Sequence, residues 1–218
     1  MSTSLSDLRT RVRDFIDEST AARWTNAELN RYINQGIYFV QGQIQQASDT
    51  YFTRVEVATA AAGTYELGLP SDIWGNKLRS LQFYEQSTVA TGTPYRVEPG
   101  QMEWVYQNQD WSGTPLNYVL HAGYIKWAPL LQYTGTFRFV YQMKESAFAT
   151  DGSDDSNNLA QIADEHADVI ALYAAILAKQ KVNADYRMLS DLFKTRLDQV
   201  MFDVQSTDPI VIPQVAID

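Results

Sequence analysis

The spacing of apolar positions changes period twice along the chain. Leu5, Leu8, Val12, Phe15 and Ile16 recur at helical spacing, while Arg9, Arg11, Arg13 and Asp14 fall on other faces. This predicts an amphipathic helix from about Ser6 to Ser19, capped by Ser4 or Ser6 with Asp7 in its first turn. Its arginines read as a solvated or intersubunit face, not a nucleic-acid patch. After a short break, Thr25-Asn26-Ala27-Glu28 has the spacing of a capping box: the Thr25 hydroxyl takes an orphan amide and Glu28 reaches back to the Thr25 amide. Trp24 precedes the cap, where a staple residue would pack near Leu29. Trp24, Thr25 and Glu28 are therefore assigned a structural capping role. The helix continues through Ile33, Ile37, Val40 and Ile44.

From about residue 51 the period becomes two. Tyr51, Thr53, Val55, Val57 and Thr59 alternate with Phe52, Arg54, Glu56 and Ala58, the pattern of a half-buried strand. Ala60 to Gly63 reads as a turn and Thr64 to Leu69 as the returning strand of a hairpin. Leu69-Pro70-Ser71-Asp72 starts a turn or short helix, and Lys77 to Glu85 is a further strand. Gly92-Thr93-Pro94 and Gly113-Thr114-Pro115 lead from loops into tyrosine-bearing strands. Pro99 to Gln107 fits a short helix carrying Met102 and Val105. Strands follow at Leu116 to His121, Tyr124 to Ala128 and Gly135 to Met143.

Helical spacing returns after the polar loop Asp151 to Asn158. Leu159, Ile162, Ala163, His166, Val169, Ile170, Tyr173, Ala174 and Leu177 form a broad stripe, with small residues at Ala171, Ala174, Ala175 and Ala178 that permit close packing. Asn183-Ala184 interrupts it. A last helix holds Leu189, Leu192, Phe193, Leu197, Val200 and Met201. Pro209 and Pro213 then rule out a helix. Ile210, Val211, Ile212, Val215 and Ile217 are apolar where a free tail is ordinarily polar. Such a segment packs either on its own core or, the reading favoured, on a neighbouring subunit or partner. Those five residues are the candidate interface.

The order of elements gives an α+β fold. Residues 1–50 and 151–202 supply the helices of a bundle, 51–150 an inserted antiparallel β subdomain, and 203–218 an extended C-terminal arm.

Composition mainly removes alternatives. The chain has 218 residues, 45% of them apolar, enough for a real core. It contains no cysteine, which excludes disulfides, thiol nucleophiles and cysteine-ligated metals. A net charge of −9 argues against a phosphate-gripping surface. The apolar run Val169 to Ala178 is too short for a membrane span, and Met1 to Thr10 has no signal-peptide core. A soluble intracellular chain is expected. His121, in a strand, and His166 lack a second histidine at ligand spacing; His166 with Asp164, Glu165 and Asp168 could imitate part of a metal site but reads as an ordinary partly buried or interface residue. Asp151, Ser153 and Asp155 open like a calcium loop, but Ser156 and Ile162 occupy the positions needing Gly and Glu. There is no Gly-rich phosphate loop and no Gly-x-Ser-x-Gly elbow. No catalytic, metal or cofactor-binding residue is assigned. The many Tyr, Phe and Trp residues of the β region suit core and protein-interface roles.

Several segments together resemble the phage head-to-tail adaptor, or connector, proteins. Ser4 to Val12 is similar to that family's first helix. Arg23-Trp24-Thr25-Asn26-Ala27-Glu28-Leu29-Asn30-Arg31-Tyr32-Ile33-Asn34 resembles its second. Leu69-Pro70-Ser71-Asp72 resembles its Leu-Pro-x-Asp turn, and Gly113-Thr114-Pro115 with Tyr118, Ile125 and Pro129 its Gly-Thr-Pro hairpin. Glu165 to Ala175 resembles the stretch returning to the bundle. The resemblance spans roughly residues 4–200. It implies a non-enzymatic virion protein at the head–tail junction, made in the host cytoplasm and needing no cofactor. Subunits, usually twelve, would ring under the portal, meet a tail or nozzle protein, and extend a channel through which DNA passes without specific binding or any membrane. Other readings are a different neck or tail-tube ring subunit and a carbohydrate-binding β module.

Overall fold

The computed structural model describes residues 3–18, 23–48, 50–85, 94–145, 147–148, 162 and 164–207. The fold is α+β. The chain forms two compact units: Met1–Tyr51 with Glu145–Asp218, and Phe52–Lys144.

The first unit contains helices α1 (Leu5–Ile16) and α2 (Asn26–Ala47) from the front of the chain and α4 (Ala167–Lys181) and α5 (Arg187–Thr207) from its rear. Ser4 caps α1 in a box closed by Asp7. The helix stops three residues short of the expected Ser19 because Asp17 turns left-handed, φ 59°, and its amide caps the Arg13 and Asp14 carbonyls. Helix α4 packs against α1, α2 and α5. Ala167, Ala171, Ala174, Ala175 and Ala178 are all fully buried, alongside Val169, Ile170 and Leu172. A helix apolar on nearly every side is one surrounded by others.

Two features fix α2 against its neighbours. Gly36 lies so close to α4 that a Cβ there would meet the Ile170 carbonyl oxygen at 2.9 Å. Phe39 stacks on Tyr173 at 4.7 Å, and Phe193 of α5 joins both rings at 5.9 and 5.6 Å. The buried face of α2 also carries polar groups. Asn34 Nδ2 donates to the Phe148 carbonyl at 2.9 Å, and the Phe148 amide donates back to Asn34 Oδ1 at 2.8 Å. Gln41 Oε1 accepts from the Glu145 amide at 3.0 Å. These amide side chains thus satisfy the backbone of the segment that follows the sheet.

The second unit is a seven-stranded sheet beside a two-stranded one. Its strands are β1 (Thr53–Ala60), β2 (Glu66–Gly68), β3 (Ile73–Tyr84), β4 (Tyr95–Pro99), β5 (Ser112–Gly113), β6 (Asn117–His121), β7 (Tyr124–Ala128), β8 (Leu130–Leu131) and β9 (Gly135–Met143), with a short helix α3 (Met102–Gln107). The spatial order of the large sheet is β1-β9-β3-β4-β6-β7-β2. Phe83, Trp127, Phe137, Phe139 and Tyr141 form its aromatic core, with Trp127 and Phe137 centroids 4.3 Å apart. Val105 of α3 packs with Val119 and Ala128.

Four expectations are corrected. β1 and β2 form no hairpin: β1 pairs with β9 over its full length, and β2 pairs with β7. The Gly63 amide bonds the Leu131 carbonyl and the Leu131 amide the Thr64 carbonyl, leading the chain away from β1. The sheet is not wholly antiparallel either, since β4–β6 and β5–β8 are short parallel pairs. Helix α5 continues to Thr207, past the expected arm start at 203, because no helix breaker occurs before Pro209. Of the stripe expected from Leu159, residues 159–161 and 163 lie outside the described residues; the rest differs in that Asp164–His166 is a 3₁₀ turn and α4 begins at Ala167. The acidic loop Asp151 to Asn158 and the turn at Gly92-Thr93 lie outside the described residues.

The Gly36 contact makes a signed prediction. Gly36→Ala gains roughly 1 kcal/mol of helix propensity but meets backbone, an overpacking cost of about 1–3 kcal/mol. A Cβ at Gly42, on the same helix, meets nothing within 4 Å. In urea unfolding, Gly36→Ala should lower stability by up to about 2 kcal/mol, and Gly42→Ala should raise it by up to about 1. Equal shifts from the two would remove the close approach as a constraint.

Candidate assembly surfaces

The start of α2 is held by several partners at once. Thr25 Oγ1 accepts from the Glu28 amide at 3.2 Å, and Glu28 Oε2 accepts from the Thr25 amide at 3.2 Å. Lys181, at the end of α4, places its ammonium 2.7 Å from Glu28 Oε1 and 5.2 Å from the Trp24 ring centroid. Trp24 is buried and meets Tyr32 edge-on at 6.1 Å. Glu18 Oε1 accepts from the Arg23 and Trp24 amides at 2.6 and 3.1 Å, and Arg13 donates to the Trp24 carbonyl at 3.0 Å. The junction joins α1, α2 and α4. Farther along, Arg11 pairs with Asp168 at 2.6 Å and Thr3 donates to Asp164 at 2.7 Å, so these charges tie α1 to the start of α4.

Helix α5 presents two stripes. Phe193, Val200 and Val204 are buried. Met188, Leu192 and Phe202 lie on another face and are exposed, Met188 by 84% and Phe202 by 70%. Met188 and Phe202 are the most exposed large apolar side chains among the described residues, which makes this face a candidate contact surface.

The second unit has its own exposed aromatics. Tyr65 and Tyr106 flank Lys126, whose ammonium lies 5.7 Å from the Tyr65 ring and 5.4 Å from the Tyr106 ring, and Tyr124 is exposed on the same strand. Glu66, 3.2 Å away, raises the Lys126 pKa. The Tyr106 hydroxyl is 3.2 Å from His121 Nδ1. Trp111, Leu116 and Tyr133 are more exposed still. At the far edge of the sheet, buried Tyr141 donates its hydroxyl toward Asp72 Oδ1 at 2.7 Å and Glu56 Oε2 at 3.0 Å, and Arg54 pairs with Asp72 at 2.6 Å. Burial first, and then the two carboxylates, push the Tyr141 hydroxyl upward, so it stays a donor.

His166 is buried in the turn before α4, and His121 is exposed. Among the described residues no three His, Asp or Glu side chains gather as a metal-ligand set. The candidate interface residues Ile210, Val211, Ile212, Val215 and Ile217 lie outside the described residues. The α5 stripe went unrecognised in the sequence, although the spacing of Met188, Leu192 and Phe202 was there to be read.

The model of the SU10 adaptor protein family matches residues 3–213, which takes in both units. The chain belongs to this family. No curated protein matches it. A solved structure described as "Neck of empty GTA particle computed with C6 symmetry" is similar over 84% of this chain and 80% of that chain, at 14% identity and a TM-score of 0.27. The adaptor-family chain is a structural protein of the phage virion. No helix among the described residues is long and apolar enough to cross a membrane.

The adaptor's α2 start should titrate. The Lys181 ammonium, and then the Thr25 amide, hold the Glu28 carboxyl at about 2, below its ordinary 4.5. A depressed carboxyl stabilises the fold fully above its unfolded pKa and loses that effect as pH falls through the folded one. The gap in unfolding midpoint between the natural chain and Glu28→Gln should therefore be full near neutrality. It should close as pH drops from about 4.5 toward 2. A gap independent of pH would sink the assignment.

Proposed function

We propose that this protein is a head-to-tail adaptor, one subunit of a ring that joins the portal to the tail and extends the DNA channel. The family match over residues 3–213 carries this reading. The helices from the two ends of the chain act as one bundle that builds the ring and meets the portal. The β subdomain faces the tail or nozzle protein, where exposed Trp111, Leu116 and Tyr133 suit a protein partner. The apolar arm with Ile210, Val211, Ile212, Val215 and Ile217 docks on the portal or the neighbouring subunit. Starting the arm at 208 agrees with α5 ending at Thr207.

The net charge of −9 supports a channel past which DNA slides without sticking. The subunit carries no catalytic role. It is made in the host cytoplasm as a monomer and forms its ring, a dodecamer by resemblance, on the portal. Ordering of the arm then occurs at assembly.

Native mass spectrometry of the full chain with and without its portal tests this. Rings that appear only with the portal are expected, and deletion of 208–218 should reduce them. Phe202→Ser and Met188→Ser should weaken assembly while leaving the monomer folded. Rings formed on a tail protein alone would transfer the chain to the tail-tube class. A stable monomer that binds glycans and ignores the portal would end the adaptor reading.

A further inference from the structure

Strand β1 forms one end of the large sheet and pairs with β9 from Thr53 to Ala60 without a register shift. Antiparallel pairing points the backbone groups of alternate residues toward the partner and those of the others away. The Met143 amide donates to the Phe52 carbonyl, so the even-numbered residues of β1 face β9. Thr53, Val55, Val57 and Thr59 then turn their N–H and C=O groups to the open side. Their side chains are exposed too, Val55 by 47% and Val57 by 48%. Arg54 and Glu56 point elsewhere, held by Asp72 and Tyr141.

Exposed edges are ordinarily blunted by shortness, Lys, Pro or a bulge. The opposite end of the sheet follows that rule, since β2 has only three residues. Eight-residue β1 has no Lys, no Pro and no register shift, and its two charges, Arg54 and Glu56, are taken up by Asp72 and Tyr141. Among the described residues, nothing pairs with its open side.

We propose that this edge receives residues Ile210 to Ile217 of a neighbouring copy as an added antiparallel strand. The chain outside the described residues has the right length and starting point. Helix α5 ends at Thr207, leaving Asp208 and Pro209 as linker and an eight-residue, largely β-branched stretch to match an eight-residue edge. Pro213 sets the parity. It has no N–H to give, so residues of its parity must face away from β1. Even-numbered residues of the arm therefore make the bonds. They match the four outward residues of β1 one to one: Ile210 opposite Thr59, Ile212 opposite Val57, Gln214 opposite Val55, and Ala216 opposite Thr53. Ile212 then lies beside Val57 and removes it from water. Strand addition of this kind draws affinity from the backbone and specificity from alternate side chains. Each copy gives one strand and receives one, a head-to-tail contact that generates a ring when its rotation closes. The inference rests on the ring reading and names the contact that joins its subunits.

Hydrogen exchange on the unmodified full chain, free and assembled on the portal, tests it first. The amides of Thr53, Val55, Val57 and Thr59 should slow by roughly tenfold or more on assembly, and rings of chain lacking 208–218 should lose that slowing. Because the chain has no cysteine, paired substitutions give a second readout. Ala58 and Val211 become a non-hydrogen-bonded pair with Cα atoms about 4.5 Å apart, within disulfide reach. Mixing Ala58→Cys chains with Val211→Cys chains on the portal should yield disulfide-linked pairs, and Ala58→Cys with Ile212→Cys far fewer. A disulfide formed only within a doubly substituted chain would overturn the proposal. So would intact rings showing neither slowing nor cross-link, which would leave the ring reading standing. Absence of rings would overturn both.

Discussion

The close approach of α2 to α4 is the constraint on which the helical unit depends. Gly36 lets the two backbones come near enough that the Ile170 carbonyl occupies the space of a Cβ. The fully buried alanines of α4 keep the same helix narrow enough to fit among three neighbours. Once α4 is in place, Phe39, Tyr173 and Phe193 close over it as one aromatic cluster drawn from three helices. Lys181, at its end, completes the charge network around Glu28 and Trp24. A bulkier residue at position 36 would therefore be felt beyond one contact.

Local chemistry made the helices legible. The Thr25-x-x-Glu28 spacing needs nothing beyond neighbouring residues, and period-two alternation located β9 with its observed ends, whereas Ser4 and Ser6 were equal candidates for the cap that Ser4 supplies. What depended on distant residues was not legible. Thr64 to Leu69 looks like the return strand of a hairpin because turn residues precede it, yet β1 takes its partner from Gly135 to Gln142. The buried amides of Asn34 and Gln41 had no signal of their own. They read as polar positions on a helix and acquire a purpose only when Glu145 and Phe148 lie beside them. The assembly surfaces were legible in part. The apolar arm was noticed because it violates the usual polarity of a tail. The exposed Met188 and Phe202 carry no such signal, because they alternate with the apolar residues Leu189, Phe193, Val200 and Met201 of the same helix.

An adaptor of this kind works through surfaces, and its surfaces follow from how each unit uses its side chains. The helices spend their small residues inside and leave Met188 and Phe202 outside. The sheet stacks its phenylalanines in the core and leaves tyrosines and Trp111 in water. Both patterns suit contacts made only when partners arrive, since aromatic and methionine side chains adapt to a facing surface while remaining tolerable in solution.

The pairing of β1 with β9 also has a kinetic side. The two strands are separated by most of the β unit, and α1 and α2 wait for α4 across a still longer stretch. These closures are nested. Once β9 has joined β1, the loop left between α2 and α4 shrinks by about fourfold, which lowers the entropy cost of bringing those helices together by roughly 1 kcal/mol. The sheet, once closed, therefore acts as a clasp that shortens the remaining search of the helices for one another.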